Sequence, residues 1–164
     1  QGEGFDLVGL TNRRLANRGH DGDEVTLTFP ESGYLYEVNK GFVGKQNSVK
    51  FRFAPPFKLF TRFATEQTAP PLRLSANTAT PGTPVRIDLS PFAAGRVLWL
   101  QIADPEGQRV WKHSETVRHE VIEVNPRQRT WPLHFAYNAP RGTYTLTLTD
   151  VATGLSSQAK MELK

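Results

Sequence analysis

Four histidines, His20, His113, His119 and His134, are the residues best suited to hold a metal or move a proton near neutral pH. None forms a His-Glu-x-x-His run or a short His-x-His pair, and His119-Glu120 has no further ligand beside it. The spacing therefore gathers no coordination set. Ser156-Ser157 lacks the Gly-x-Ser-x-Gly elbow that presents a serine nucleophile to its base. The carboxylates Asp21, Asp23, Glu24, Asp104 and Glu106 fall mostly in turns, not as the facing pair that glycosidic cleavage requires. Asp21-Gly22-Asp23-Glu24 offers oxygens to a calcium ion. It stops short of an alternating ligand set and reads as a hairpin turn. No glycine-rich strand-to-helix turn is present to cradle phosphate. The absence of cysteine removes disulfides, thiolate zinc sites and cysteine nucleophiles together. The expectation is a chain with no catalytic residue, no metal and no cofactor, and so not an enzyme by itself.

Binding chemistry rests on aromatic side chains. Trp111 and Trp131 are the candidate stacking platforms, with Tyr34 and Tyr36 beside them, because an indole or phenol combines an apolar face with a polar edge. A polysaccharide is the ligand such platforms suit, although packing in a core or between domains uses the same residues. Nucleic acid is not expected. The net charge is only +4, from 20 basic and 16 acidic residues. The densest basic runs, residues 45–62 and 118–129, read as the wet faces of strands. In Lys50-Phe51-Arg52-Phe53 the cations and rings alternate, so they point to opposite faces and make no stacking groove. Apolar stretches are strand-length, so no membrane insertion is expected.

The elements that must position these residues have period two almost throughout. Val25-Thr26-Leu27-Thr28-Phe29, Val49-Lys50-Phe51-Arg52-Phe53, Val85-Arg86-Ile87-Asp88-Leu89 and Tyr144-Thr145-Leu146-Thr147-Leu148-Thr149 alternate as half-buried strands do. Turn pairs such as Lys40-Gly41, Pro81-Gly82, Glu106-Gly107 and Arg141-Gly142 punctuate them. The fold class this implies is all-β. Thr65-Glu66-Gln67-Thr68-Ala69-Pro70-Pro71 is polar and ends in two prolines, which marks a boundary. Residues 1–65 are expected to form a small antiparallel β domain of about five strands, 66–71 a linker, and 72–164 a β-sandwich of about seven. Whether the first domain folds alone is left open by its size. It is rich in Phe and Tyr, which points to packing against the second domain or a missing partner. Gln1-Gly2-Glu3-Gly4 carries neither a basic start nor an apolar run, and no initiator Met opens the chain. A mature product or a fragment of something longer is the expectation.

The second domain reads as an immunoglobulin-like sandwich without its disulfide. Residues 85–89 would be strand B, 96–103 strand C, 143–150 strand F and 155–163 strand G. Antibody-type domains set a Trp on strand C against a disulfide joining B and F. Trp99 lies on C, while Ile87 and Leu146 occupy the centres of B and F, so the three are expected to fill the core where the disulfide would lie. Tyr144 precedes Leu146 by two residues, the offset of a tyrosine corner, and its hydroxyl should bond backbone near residues 138–141.

Two stretches carry a resemblance. Gly33-Tyr34-Leu35-Tyr36-Glu37-Val38-Asn39-Lys40-Gly41-Phe42-Val43-Gly44 resembles a segment of the β-rich C-terminal regions of large bacterial glycoside hydrolases of the β-galactosidase-like kind. Asp104-Pro105-Glu106-Gly107, Ala139-Pro140-Arg141-Gly142-Thr143-Tyr144 and Thr149-Asp150-Val151-Ala152-Thr153-Gly154 are similar to turns of the immunoglobulin-like domains that follow such regions. The resemblance implies a non-catalytic accessory module of a secreted carbohydrate-active enzyme, extracellular or periplasmic, which packs on or spaces a missing catalytic domain. It carries over no catalytic residue. Phe60-Thr61-Arg62-Phe63 departs from the more apolar ending that the resemblance leads one to expect. The alternatives are an immunoglobulin-like module of a bacterial surface or adhesion protein, with a protein partner, and a carbohydrate-binding module.

Overall fold

The computed structural model describes residues 4–11, 23–38, 40–53, 57–107 and 120–164. Every regular element among them is a strand, so the chain is all-β. It divides into two compact units: Gln1–Thr68 with Ala152–Gly154, and Ala69–Val151 with Leu155–Lys164.

The described residues of the first unit hold β1 (Phe5–Thr11), β2 (Asp23–Glu37), β3 (Gly41–Phe53) and β4 (Phe57–Phe63), in the sheet order β1-β4-β2-β3. All neighbours run antiparallel. The long β2–β3 ladder breaks between Thr28 and Gly33. Pro30 lies in that interval and has no N–H to donate. Beyond the break β2 pairs with β4 from Tyr34 to Glu37. Gly33 sits where a Cβ would stand 2.8 Å from the Phe63 carbonyl oxygen, so β4 can approach only because the side chain is absent. Phe29, Leu35, Val49 and Phe60 form the buried core, with Val8, Leu10, Leu27 and Phe51 packed on it. The Phe51 and Phe60 rings lie 5.1 Å apart, which brings the far half of the β2–β3 hairpin onto β4.

The described residues of the second unit hold seven strands: β5 (Thr78–Ala79), β6 (Val85–Asp88), β7 (Val97–Ala103), β8 (Glu120–Glu123), β9 (Thr130–Leu133), β10 (Gly142–Asp150) and β11 (Ser156–Leu163). One sheet runs β5-β11-β10-β7-β8 and the other pairs β6 with β9. The segment leading into β5 serves both: Leu74 bridges to Ile87 of β6, whereas Thr78 and Ala79 pair in parallel with β11. Ile87 and Leu133 from the smaller sheet join Leu98, Leu100, Ile102, Leu146, Leu148 and Met161 from the larger in one buried core. Tyr144 is buried there too, and its hydroxyl donates to the Pro140 carbonyl at 2.9 Å. Gly142, at φ +132° beside Pro105, turns the chain into this strand in a conformation that disfavours a side chain.

Trp99 is a correction. On β7 the buried residues are Leu98, Leu100 and Ile102, and Trp99 is half-buried on the other face, beside Val97 and Gln101. Three aliphatic side chains commit one face of the strand to the core, and strict alternation then turns the indole outward. Leu100 pairs with Leu148, and with Ile102 and Leu146 it takes the space assigned to Trp99.

Candidate functional site

The cross-strand registers of the first unit assign each side chain to one of two faces. Asp6, Val8, Leu10, Leu35, Glu37, Lys58, Phe60 and Arg62 share the inner face with the core. Phe5, Leu7, Tyr34, Tyr36, Phe57, Leu59, Thr61 and Phe63 share the other, and the Tyr36–Phe42 pairing adds Phe42. One row crosses the sheet as Leu7, Thr61, Tyr36 and Phe42.

This second face is an aromatic ladder bordered by exposed apolar side chains. Phe5 stacks on Phe63 at 5.0 Å, Phe63 meets Tyr36 edge-on at 5.6 Å, and Tyr36 meets Phe42 at 5.3 Å. Phe42 lies 6.3 Å from Tyr34, whose ring carries the Lys45 ammonium at 5.3 Å. Tyr36, Thr61 and Phe63 are buried. The Thr61 hydroxyl donates to the Ala152 carbonyl at 2.5 Å, and the Tyr36 hydroxyl accepts from the Gln67 amide at 2.9 Å. Around that satisfied centre Leu7 is 57% exposed, Phe42 53% and Phe57 60%. Such a face carries no group poised for reaction. What it can do is desolvate against another surface and fix orientation through its rings.

The inner face holds the unit's buried charge. Lys58, only 8% exposed, donates to Glu37 at 2.9 Å and lies over the Phe51 and Phe60 rings at 4.8 and 5.8 Å. Lys40 reaches the same carboxylate at 3.0 Å. Burial pushes the Glu37 carboxyl up, but the two lysines outweigh it and hold the carboxyl below the usual carboxylate range. Arg62 bonds Asp6 at 2.5 and 2.8 Å, and Lys50 pairs with Glu24. Lys50, Lys58 and Arg62 of the basic run at 45–62 are therefore matched within the unit.

The sites predicted from sequence are not brought together. Trp131 packs against the second core and donates its indole N–H to Glu120 at 2.6 Å, so its edge is tied and its ring serves packing. Tyr36 is buried rather than available as a platform. Trp111, His20, His113, His119, Asp21 and Gly22 lie outside the described residues. His134 is exposed just after β9, and Asp23 and Glu24 are exposed at the start of β2. Ser157 donates to the Pro70 carbonyl at 2.5 Å, a structural contact. Among the described residues no group of three or more metal-ligating side chains occurs. Sequence reasoning missed the Lys58–Glu37 pair and the ladder's membership. The spacing of Glu37 and Lys40 signals only the local Lys40 pair, whereas the Lys58 pair, 21 residues apart, and the ladder both need the strand order.

No family model matches the chain, and no curated protein matches its sequence.

Proposed function

We propose that this chain is a non-catalytic accessory module that holds a neighbouring protein domain through the aromatic face of its first unit. The observation that carries this reading is the exposure of Leu7, Phe42 and Phe57 on one side of a sheet whose other side is already a filled core. They stand around the buried Tyr36, Thr61 and Phe63 centre, and on this reading large apolar side chains left exposed around one sheet face are the rim of a surface that is covered in use. The centre of the face is already covered within the unit, where Thr61 bonds Ala152 and Tyr36 accepts from Gln67, so a partner is held by the exposed side chains around it.

The second unit fits an immunoglobulin-like sandwich as the spacer. Three features support that: the segment shared between two sheets before β5, the order β5-β11-β10-β7-β8 facing β6-β9, and the Tyr144–Pro140 corner. The neighbour this reading expects is the catalytic domain of a secreted bacterial carbohydrate-active enzyme, placed outside the cytoplasm. No reaction is assigned to the chain itself.

The test is dye binding and sedimentation on the isolated chain. The wild type should bind an anilinonaphthalene dye or self-associate reversibly, and a Leu7→Ser, Phe42→Ser, Phe57→Ser variant with an unchanged circular dichroism spectrum should do neither. A wild-type chain that is strictly monomeric and silent to the dye would contradict the reading.

A further inference from the structure

The outward turn of Trp99 leaves an indole on the solvent side of the larger sheet in the second unit, where the core makes no demand for it. Its cross-strand neighbours are Val121, 67% exposed, on β8 and Thr149 on β10, with Ser156 next on β11. The adjoining row is Gln101, Thr147 and Gln158, in which the Gln158 amide donates to the Thr147 hydroxyl at 3.2 Å. None of these side chains is charged. Neighbouring strands lie about 4.8 Å apart, so the row sets three amide or hydroxyl groups at regular intervals beside one aromatic plate.

From this juxtaposition we propose that Trp99 and the Gln101–Thr147–Gln158 row form a binding platform for a neutral polysaccharide strand. A pyranose ring presents an apolar C–H face and a rim of hydroxyls. The indole accepts the first by stacking. The amides and hydroxyls, which both donate and accept, match the second. The two rows are neutral themselves and are bordered by charges of opposite sign, Glu123 opposite Val97 on one side and Lys160 opposite Thr145 on the other. An uncharged ligand suits them, since a formal charge of either sign would meet a like charge at one border. Peptide and nucleic-acid strands are poorer fits, because an uncharged row cannot match their phosphates or charged side chains. The site is separate from the aromatic face of the first unit, so the inference goes beyond the accessory reading, and either can fail without the other.

The experiment is affinity electrophoresis and Trp-fluorescence titration of the whole chain with xyloglucan, galactan, galactomannan and hydroxyethylcellulose, with polygalacturonate as the anionic control. At least one neutral polymer should retard the chain and perturb its emission. Trp99→Ala should weaken that binding about tenfold or more, Trp99→Phe should retain part of it, and Trp131→Phe should leave it unchanged. Gln101→Ala with Gln158→Ala tests the polar row without touching an aromatic, and should weaken binding while circular dichroism stays the same. No response to any neutral polymer, retardation by polygalacturonate alone, or full binding by Trp99→Ala would each overturn the proposal.

Discussion

Lys58 and Glu37, 21 residues apart, meet at 2.9 Å inside the first unit, with the lysine ammonium also lying over the Phe51 and Phe60 rings. The contact ties the end of β2 to β4, and through the Phe51 ring it reaches the far half of β3. A buried pair of this kind is worth little relative to a well-packed apolar replacement, yet costs much when halved. Glu37→Gln should destabilise the first unit by about 3 kcal/mol, because it strands the Lys58 cation. Lys58→Met should cost less, since Lys40 still serves Glu37. The double variant Glu37→Leu, Lys58→Met should recover most of the loss in a double-mutant cycle. Hydrogen exchange of peptides from β3 and β4 would report it.

The same pair gives an acid limb to stability. The lysines hold the Glu37 carboxyl in the fold below its ordinary value despite burial. Its contribution is thus complete above the unfolded glutamate value of about 4.3 and is lost as the pH falls through the folded value. Urea midpoints measured from pH 6 down to about 3 should fall less steeply for Glu37→Gln than for the wild type.

Tyr144 predicts the opposite limb in the second unit. Burial, then the Asp104 charge, raises its phenol above the ordinary tyrosine value. The neutral phenol that donates to Pro140 is therefore favoured by folding. Its contribution is present below pH about 10 and lost as the pH rises through the folded value. Tyr144→Phe should cost about 1 kcal/mol at neutral pH and remove this alkaline component. Guanidinium unfolding at pH 7 and at higher pH measures both.

Leu100 and Trp99 should differ sharply despite adjacency. Leu100→Ala opens a cavity in the second core and should cost about 2–5 kcal/mol. Trp99→Phe, on the outward face, should cost less than about 1 kcal/mol. Thermal melts of both variants would place the indole: a Trp99→Phe loss as large as that of Leu100→Ala would put it in the core.

That pair also shows where sequence reasoning succeeded and failed. Strands β6, β7, β10 and β11 of the second unit and the Tyr144 bond to Pro140 were legible because period two, turn glycines and the two-residue offset of Tyr144 are local, whereas the two-residue β5 carries no such pattern. Which face of β7 points inward was equally local. Leu98, Leu100 and Ile102 against Val97, Trp99 and Gln101 is a clear division, and the polar Gln101 beside Trp99 marked the wet side. Analogy with antibody domains favoured the largest residue over the consistent aliphatic set. In the first unit the alternation of 49–53 was readable, but β4 buries residues on both faces, so Lys58, Phe60 and Arg62 could not be separated from Leu59, Thr61 and Phe63 by hydropathy. Their faces follow from pairing with β1 and β2, a long-range fact. The bond from the Trp131 N–H to Glu120 was not legible either, because Glu120 lies 11 residues away on another strand.

Titration calorimetry of this chain with a catalytic domain of the kind that the proposed function expects as its neighbour tests the central claim most directly. The account predicts saturable binding with a negative heat-capacity change, as burial of the Leu7, Phe42 and Phe57 face requires, and loss of that binding in the triple serine variant. Binding of equal strength by the triple variant, or none by the wild type, would contradict it.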